Sequence, residues 1–137
     1  MKPQPQLITL PKYCDPRGNL SVLENGARLP FDVKRAYWIY DVPSGRKRDG
    51  HAFRSQHELI IALSGSFDIV INDGNAQQRF RMDRANVGLY VPPLTWREID
   101  NFSTNSVALI VASESYDADD YIEDFDTYLS IIHPTII

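Results

Sequence analysis

Gly45-Arg46-Lys47-Arg48-Asp49-Gly50-His51-Ala52-Phe53-Arg54-Ser55-Gln56-His57-Glu58-Leu59-Ile60-Ile61-Ala62-Leu63-Ser64-Gly65 is the stretch on which the fold turns. Its spacing runs Gly45, five residues, His51, one residue, Phe53, four residues, Glu58, six residues, Gly65. Side chains at i and i+2 of a strand share a face, so His51 and Phe53 point the same way. Residues 58–63 are almost continuously apolar after Glu58, as in a buried strand, and His57 falls on the opposite face from Glu58.

On either side of this stretch the chain reads as a series of short strands separated by turns. Leu7–Leu10 is one, ended by Pro11. Asp15-Pro16-Arg17-Gly18-Asn19 is a turn, Leu20–Glu24 alternates as a half-buried strand, and Asn25-Gly26 breaks it. Phe31–Asp41 is expected as one long aromatic strand, with Arg35, Tyr37 and Ile39 on one face and Lys34, Ala36, Trp38 and Tyr40 on the other. Phe67–Ile71, the hairpin signal Asn72-Asp73-Gly74-Asn75, Gln77–Met82, Val87–Val91, Trp96–Ile99 and Ser106–Ala112 supply the rest. Strands of this length and spacing predict an all-β jelly-roll sandwich or barrel. The period changes in Asp117–Leu129, where Tyr121, Ile122, Phe125, Tyr128 and Leu129 form one helical stripe, so a short C-terminal helix is expected there.

At 137 residues, 43% hydrophobic and 11% aromatic, the chain is expected to form a single domain over 1–137. No apolar run is long enough for a membrane span. No apolar export signal is apparent, and the lone cysteine, Cys14, excludes an internal disulfide, so a cytoplasmic setting is expected. The net charge of −4 is unevenly placed. The first 97 residues carry 14 cations against nine acids, +5, and residues 98–137 carry nine acids and no lysine or arginine, −9. A basic body with an acidic tail suits a small anion and disfavours nucleic acid.

The 45–65 spacing resembles the first signature of the cupin superfamily, with Phe53 where a second histidine is usual. The second signature is approached by Pro92-Pro93-Leu94-Thr95-Trp96-Arg97-Glu98-Ile99-Asp100-Asn101, where Arg97 holds the histidine position. The resemblance implies a cupin-type jelly-roll β-barrel. In metal cupins these histidines and Glu58 are ligands; here one position is apolar and another is a permanent cation, so no metal and no cofactor is expected.

A closer resemblance covers nearly the whole chain. Arg17-Gly18-Asn19-Leu20, Phe31-Asp32-Val33-Lys34-Arg35, Tyr37–Pro43, Gly50-His51-Ala52, Leu63–Phe67, Asn72-Asp73-Gly74, Gly88–Pro93, Trp96 and Tyr116–Ile122 are similar to the WxcM-like sugar 3,4-ketoisomerases. That family implies a metal-free homodimer, often with an exchanged N-terminal strand. Its implied substrate is a dTDP-linked 4-keto-6-deoxyhexose, whose keto group moves from C4 to C3 through an enediol.

Such a reaction needs one proton taken from C3 and one returned at C4. His51, a base with an ordinary pKa near 6.5, is the candidate. Tyr37 and Arg97 are candidate donors to the enediolate oxygen, and Arg97 also has the alternative of a structural ion pair. Arg17, Arg35 and Arg54 are candidates for the diphosphate. Glu58 either orients His51 or pairs with an arginine, and Tyr90 is a further candidate for contact with substrate. Two other functions compete: a 3,5-epimerase-like enzyme on the same nucleotide sugar, and a non-catalytic nucleotide-sugar-binding domain, suggested by the absent second histidine.

Overall fold

The computed structural model describes residues 3–26 and 28–134. Twelve strands and one α-helix follow one another as β1 (Gln6–Thr9), β2 (Lys12–Asp15), β3 (Gly18–Ser21), β4 (Arg35–Tyr40), β5 (Arg48–Phe53), β6 (Glu58–Ser64), β7 (Phe67–Asn72), β8 (Gln77–Met82), β9 (Val87–Val91), β10 (Trp96–Asp100), β11 (Val107–Ala112), β12 (Tyr121–Ile122) and α1 (Phe125–Ile132). Two antiparallel five-stranded sheets face each other. The first is ordered β1-β9-β6-β11-β4, the second β12-β5-β10-β7-β8, and β2–β3 stands apart as a hairpin. This is the jelly roll expected from the cupin resemblance, built as two hydrogen-bonded sheets rather than one closed ring.

Alternation along each strand decides what lies where. Between the sheets sit Ile60, Ala62, Phe67, Ile69, Leu89, Val91, Ile99, Ala108 and Ile110. The intervening residues of β6, β9 and β11, namely Leu59, Ile61, Tyr90 and Val111, face outward and are covered by Leu10 and Phe31. Behind the second sheet, Ala52, Trp96 and Ile122 pack against Tyr128 of α1. The packing leaves no room at Gly50, where a Cβ would collide with the Trp96 indole. No helix among the described residues is long and apolar enough to cross a membrane.

Four expectations change. The strand expected over Phe31–Asp41 spans only Arg35–Tyr40; before it, the backbone of Val33 is held by the Asn25 side chain at 2.7 Å. The strand expected over Leu20–Glu24 is Gly18–Ser21, and Lys12–Asp15, read from sequence as no element, is its hairpin partner. Those eight residues are all exposed, so burial periodicity offered little signal there.

The largest change is at the C-terminus. The stripe expected as one helix over Asp117–Leu129 is a 3₁₀ turn at Ala118–Asp120, then β12, then α1. Asp120 is the cause. Its carboxylate accepts hydrogen bonds from the backbone N–H groups of Ser55 and Gln56 and from the Ser55 hydroxyl, at 2.9, 3.1 and 2.9 Å, while its carbonyl accepts from Arg54 N–H at 2.9 Å. The chain is thereby held along β5, where Tyr121 and Ile122 pair with Phe53 and Ala52. Helix α1 begins only afterwards, capped by Asp124, which accepts from Thr127 N–H at 2.9 Å.

Candidate active site

A cavity of about 500 Å³ opens between the sheets. The first sheet contributes Tyr37, Ile39, Glu58, Ile60 and Ile110, and the second contributes His51, Arg97, Ile99 and Tyr121. His51 and Arg97 are direct partners across β5 and β10. The register slips between Arg97 and Ile99, a bulge of the kind that re-aims side chains beside functional sites. Tyr37 and Glu58 come from β4 and β6, both neighbours of β11, and their alternation turns them inward.

The polar groups converge on Glu58. Arg97 Nη1 donates to Glu58 Oε1 at 2.5 Å, and both side chains are only 1% exposed. Tyr37 Oη donates to Glu58 Oε2 at 2.6 Å, and Gln56 Nε2 to the same oxygen at 2.8 Å. Three donors converge on Glu58, which accepts from all of them. Burial first, and then the neighbouring Glu58 carboxylate, push the Tyr37 phenol far above its ordinary value. Tyr37 therefore keeps its proton, directed at Glu58.

Arg97 spends its other donors differently. Nε donates to the Thr95 carbonyl at 3.2 Å, and Nη2 is buried with no hydrogen-bond partner. An unsatisfied buried guanidinium N–H costs on the order of 1–3 kcal/mol and is a ready donor for an incoming oxyanion. The guanidinium carbon also lies 5.0 Å from the centroid of the Phe53 ring. The two departures from the cupin pattern, Phe53 and Arg97, are thus one feature: the ring supports the cation. Neither can ligate a metal. Among the described residues no group of three or more His, Cys, Asp or Glu side chains is placed to hold one.

His51 packs edge-on against Phe53, with ring centroids 5.0 Å apart, and 5.6 Å from the ring of Tyr121. Tyr121 closes the cavity over Phe53 at 4.5 Å. Of the two alternatives for Glu58, the structure shows the pairing with an arginine, Arg97.

The remaining candidates lie elsewhere. Tyr90, read from sequence as a substrate contact, is buried on the outward face of β9. There its hydroxyl meets His57 Nδ1 at 2.7 Å, because alternation along β9 turns it away from the cavity. Arg17 sits at the tip of the β2–β3 hairpin, 90% exposed and paired with Asp15. Arg35 Nη2 donates to the Gln56 side-chain oxygen Oε1 at 3.1 Å and stacks over Tyr37 and Tyr116. Arg54 is exposed and reaches the Asp119 carbonyl at 3.4 Å. None of these three arginines lines the cavity in this chain; the cations that do, besides Arg97, are Lys47 and Arg48.

Sequence reasoning missed Tyr121 and Gln56. Gln56 is 2% exposed in a short connection where glutamine is ordinarily solvated, so no pattern marks it. Tyr121-Ile122 did carry a signal, an aromatic and a β-branched residue side by side, but the helical period overrode it.

Known proteins share this sequence pattern and this fold. The family described as FdtA, WxcM-like, C-terminal, matches residues 3–133. The chain is 35% identical over 127 residues to the TDP-4-oxo-6-deoxy-alpha-D-glucose-3,4-oxoisomerase of Aneurinibacillus thermoaerophilus, covering 93% of this chain and 91% of that protein. A mutant of the 3,4-ketoisomerase QdtA from Thermoanaerobacterium thermosaccharolyticum, solved in complex with TDP-4-keto-6-deoxyglucose, superposes with a TM-score of 0.92 at 34% identity, over 96% of this chain and 95% of that one. The WlaRB TDP-quinovose 3,4-ketoisomerase of Campylobacter jejuni gives a TM-score of 0.86 at 38% identity, over 91% and 96%. By its sequence along nearly its whole length and by its fold, this chain belongs to the FdtA, WxcM-like C-terminal family.

Proposed function

We propose that the chain is a 3,4-ketoisomerase acting on a TDP-linked 4-keto-6-deoxyhexose, with His51 as the base. The observation that carries the assignment is the pairing of His51 with Arg97 across β5 and β10, at a cavity into which a buried guanidinium brings an uncommitted N–H. His51 takes the C3 proton, and the electron pair left behind forms the enediolate. Arg97 Nη2, a buried donor fixed in place, donates to the developing oxyanion. Tyr37, donating to Glu58, also holds the carboxylate that holds Arg97. Lys47 and Arg48 at the cavity suit the diphosphate.

The test is NMR of the protein with TDP-4-keto-6-deoxyglucose in deuterated buffer, beside His51→Asn. A 3-keto product labelled at C4, slowed about 10²–10⁴-fold in the variant, is the expected result. Label at C5 instead would replace the isomerase by an epimerase. Saturable binding of TDP without turnover would replace it by a binding domain.

The reading includes a homodimer in the cytoplasm. Trp38, Tyr40, Tyr13 and Leu20 are 59%, 60%, 62% and 58% exposed, and the exposed β2–β3 hairpin is free to cross to a second copy. Such a crossing would also carry Arg17 away from its own chain. Sedimentation at the 15.6 kDa of a single chain would overturn the dimer.

A further inference from the structure

We infer that Gln56 is a positioning residue for the reaction: its amide keeps Arg35 away from the Glu58 carboxylate, reserves that carboxylate for Arg97, and so fixes the guanidinium beside the cavity. This rests on the isomerase reading above. Gln56 sits in the connection from β5 to β6, is 2% exposed and does not line the cavity. A side chain buried so deeply and away from substrate acts on the site only through what it holds.

Two arginines compete for Glu58. Arg97 comes from the facing sheet and pairs with Oε1. Arg35 comes from the same sheet as Glu58. Both are partners of Ala112, so they stand in one row with only β11 between their strands. Two strand spacings put their backbones about 10 Å apart, a span that an arginine side chain bridges. Arg35 nevertheless donates elsewhere. Its Nη2 reaches Gln56 Oε1 at 3.1 Å, while Gln56 Nε2 donates to Glu58 Oε2 at 2.8 Å. The amide is interposed between cation and carboxylate, accepting from one and donating to the other. Its orientation follows from its partners, because a flipped amide would set its NH2 against the guanidinium and its oxygen against the carboxylate. The backbone N–H of Gln56 is held as well, on Asp120 Oδ2 at 3.1 Å, and Arg35 is stacked over Tyr37 and Tyr116.

Without the amide, Glu58 has two cations to answer to. Arg35, deprived of Gln56 Oε1, turns to Glu58 Oε2, and a carboxylate drawn toward β4 loosens its hold on Arg97. A donor displaced by about 1 Å from a developing charge loses up to about a hundredfold in rate. Gln56→Glu converts this arrangement into a titration. Position 56 faces Arg35 and Glu58 directly, meets Tyr37 at the shared Oε2, reaches Arg97 through Glu58 and has Asp120 on its backbone. Protonated, the introduced carboxyl donates to Glu58 and accepts from Arg35, as the amide does. Ionised, it pairs with Arg35 and repels Glu58.

The test measures kcat and KM for TDP-4-keto-6-deoxyglucose between about pH 5.5 and 8.5 in wild type, Gln56→Glu and Gln56→Met, each as a ratio to wild type so that the pH dependence of the base cancels. Calorimetry reads TDP affinity, and circular dichroism reads the fold. Gln56→Glu should keep kcat within about threefold of wild type at the acid end and lose about tenfold to a hundredfold at the alkaline end. Gln56→Met should lose about the same factor at every pH, and in both variants KM and TDP affinity should stay within about threefold. A kcat ratio for Gln56→Glu that is flat with pH overturns the inference, and so does a Gln56→Met protein as active as wild type. A loss carried by KM alone overturns it too, because the amide would then serve binding and not the donor at the oxyanion. Loss of the fold in Gln56→Glu at the acid end, where the side chain matches the amide, would make Gln56 a residue of stability and not of position. Absence of turnover in wild type would instead overturn the isomerase reading, and the role of Gln56 with it.

Discussion

The two faces of the first sheet carry nearly the same polar pair and put it to different use. Inside, the Tyr37 hydroxyl meets Glu58 at 2.6 Å; outside, the Tyr90 hydroxyl meets His57 Nδ1 at 2.7 Å. Both tyrosines are raised above their ordinary pKa, in each case by burial first. The inner pair is joined by a third group from the facing sheet, Arg97, and borders a cavity. The outer pair is stacked on Phe31, with ring centroids 5.8 Å from His57 and 6.1 Å from Tyr90, and borders no cavity described. A buried hydrogen-bonded tyrosine therefore says little about function. What marks a site is a cluster contributed by both sheets with a donor left over.

The sharpest way to break the contrast is Arg97→Leu. It strands Glu58 as a buried charge, and removing one partner of such a pair costs about 3–5 kcal/mol. Urea unfolding should show that loss together with abolished turnover, whereas a stable and active variant would dissolve the distinction between the faces. Tyr37→Phe comes next. It removes one hydrogen bond to a charged acceptor, about 1.5–3 kcal/mol, against about 0.5–1.5 kcal/mol for Tyr90→Phe, whose turnover should be unchanged. Equal effects of the two variants in unfolding and in turnover would mean that the faces are equivalent.

The smallest effect is in pH dependence and belongs to the outer face. Burial lowers the His57 pKa below its ordinary value near 6.5, with Glu114 opposing. Just below pH 6.5 the unfolded chain then binds more protons than the native one, so stability falls as pH drops through that value and levels off below the native pKa. Melting temperatures of wild type and His57→Gln between about pH 5 and 7.5 should differ in slope there. Parallel curves would remove His57 from the account.

How much of this was legible beforehand depends on period. Before any coordinates, alternation put Tyr37 on one face of its strand with Arg35 and Ile39 and put His57 opposite Glu58, while register with the cupin signatures put Glu58 and Arg97 at ligand positions. Tyr90 failed as a candidate even though alternation also governs β9. Only the pairing of β9 beside β6 says which of its faces is the inner one. The arginine candidates lie off the cavity of this chain for a different reason: a long cationic side chain at the surface can reach many places, and strand position does not decide among them.

The sequence alone supplied the spacing of His51, Phe53, Glu58 and Arg97 and the all-β class, because strand period and turn chemistry are local, and the resemblance of its motifs supplied the family. Tertiary structure decided that Arg97 rests on Phe53 and pairs with Glu58, that Tyr37 donates to Glu58, and that Tyr121 belongs to a strand and not to a helix. Each of these depends on residues tens of positions apart in the chain meeting in space, within one sheet or, for Arg97 and Glu58, across two. In the last case three hydrogen bonds to one carboxylate, Asp120, outweighed a helical stripe of five apolar side chains.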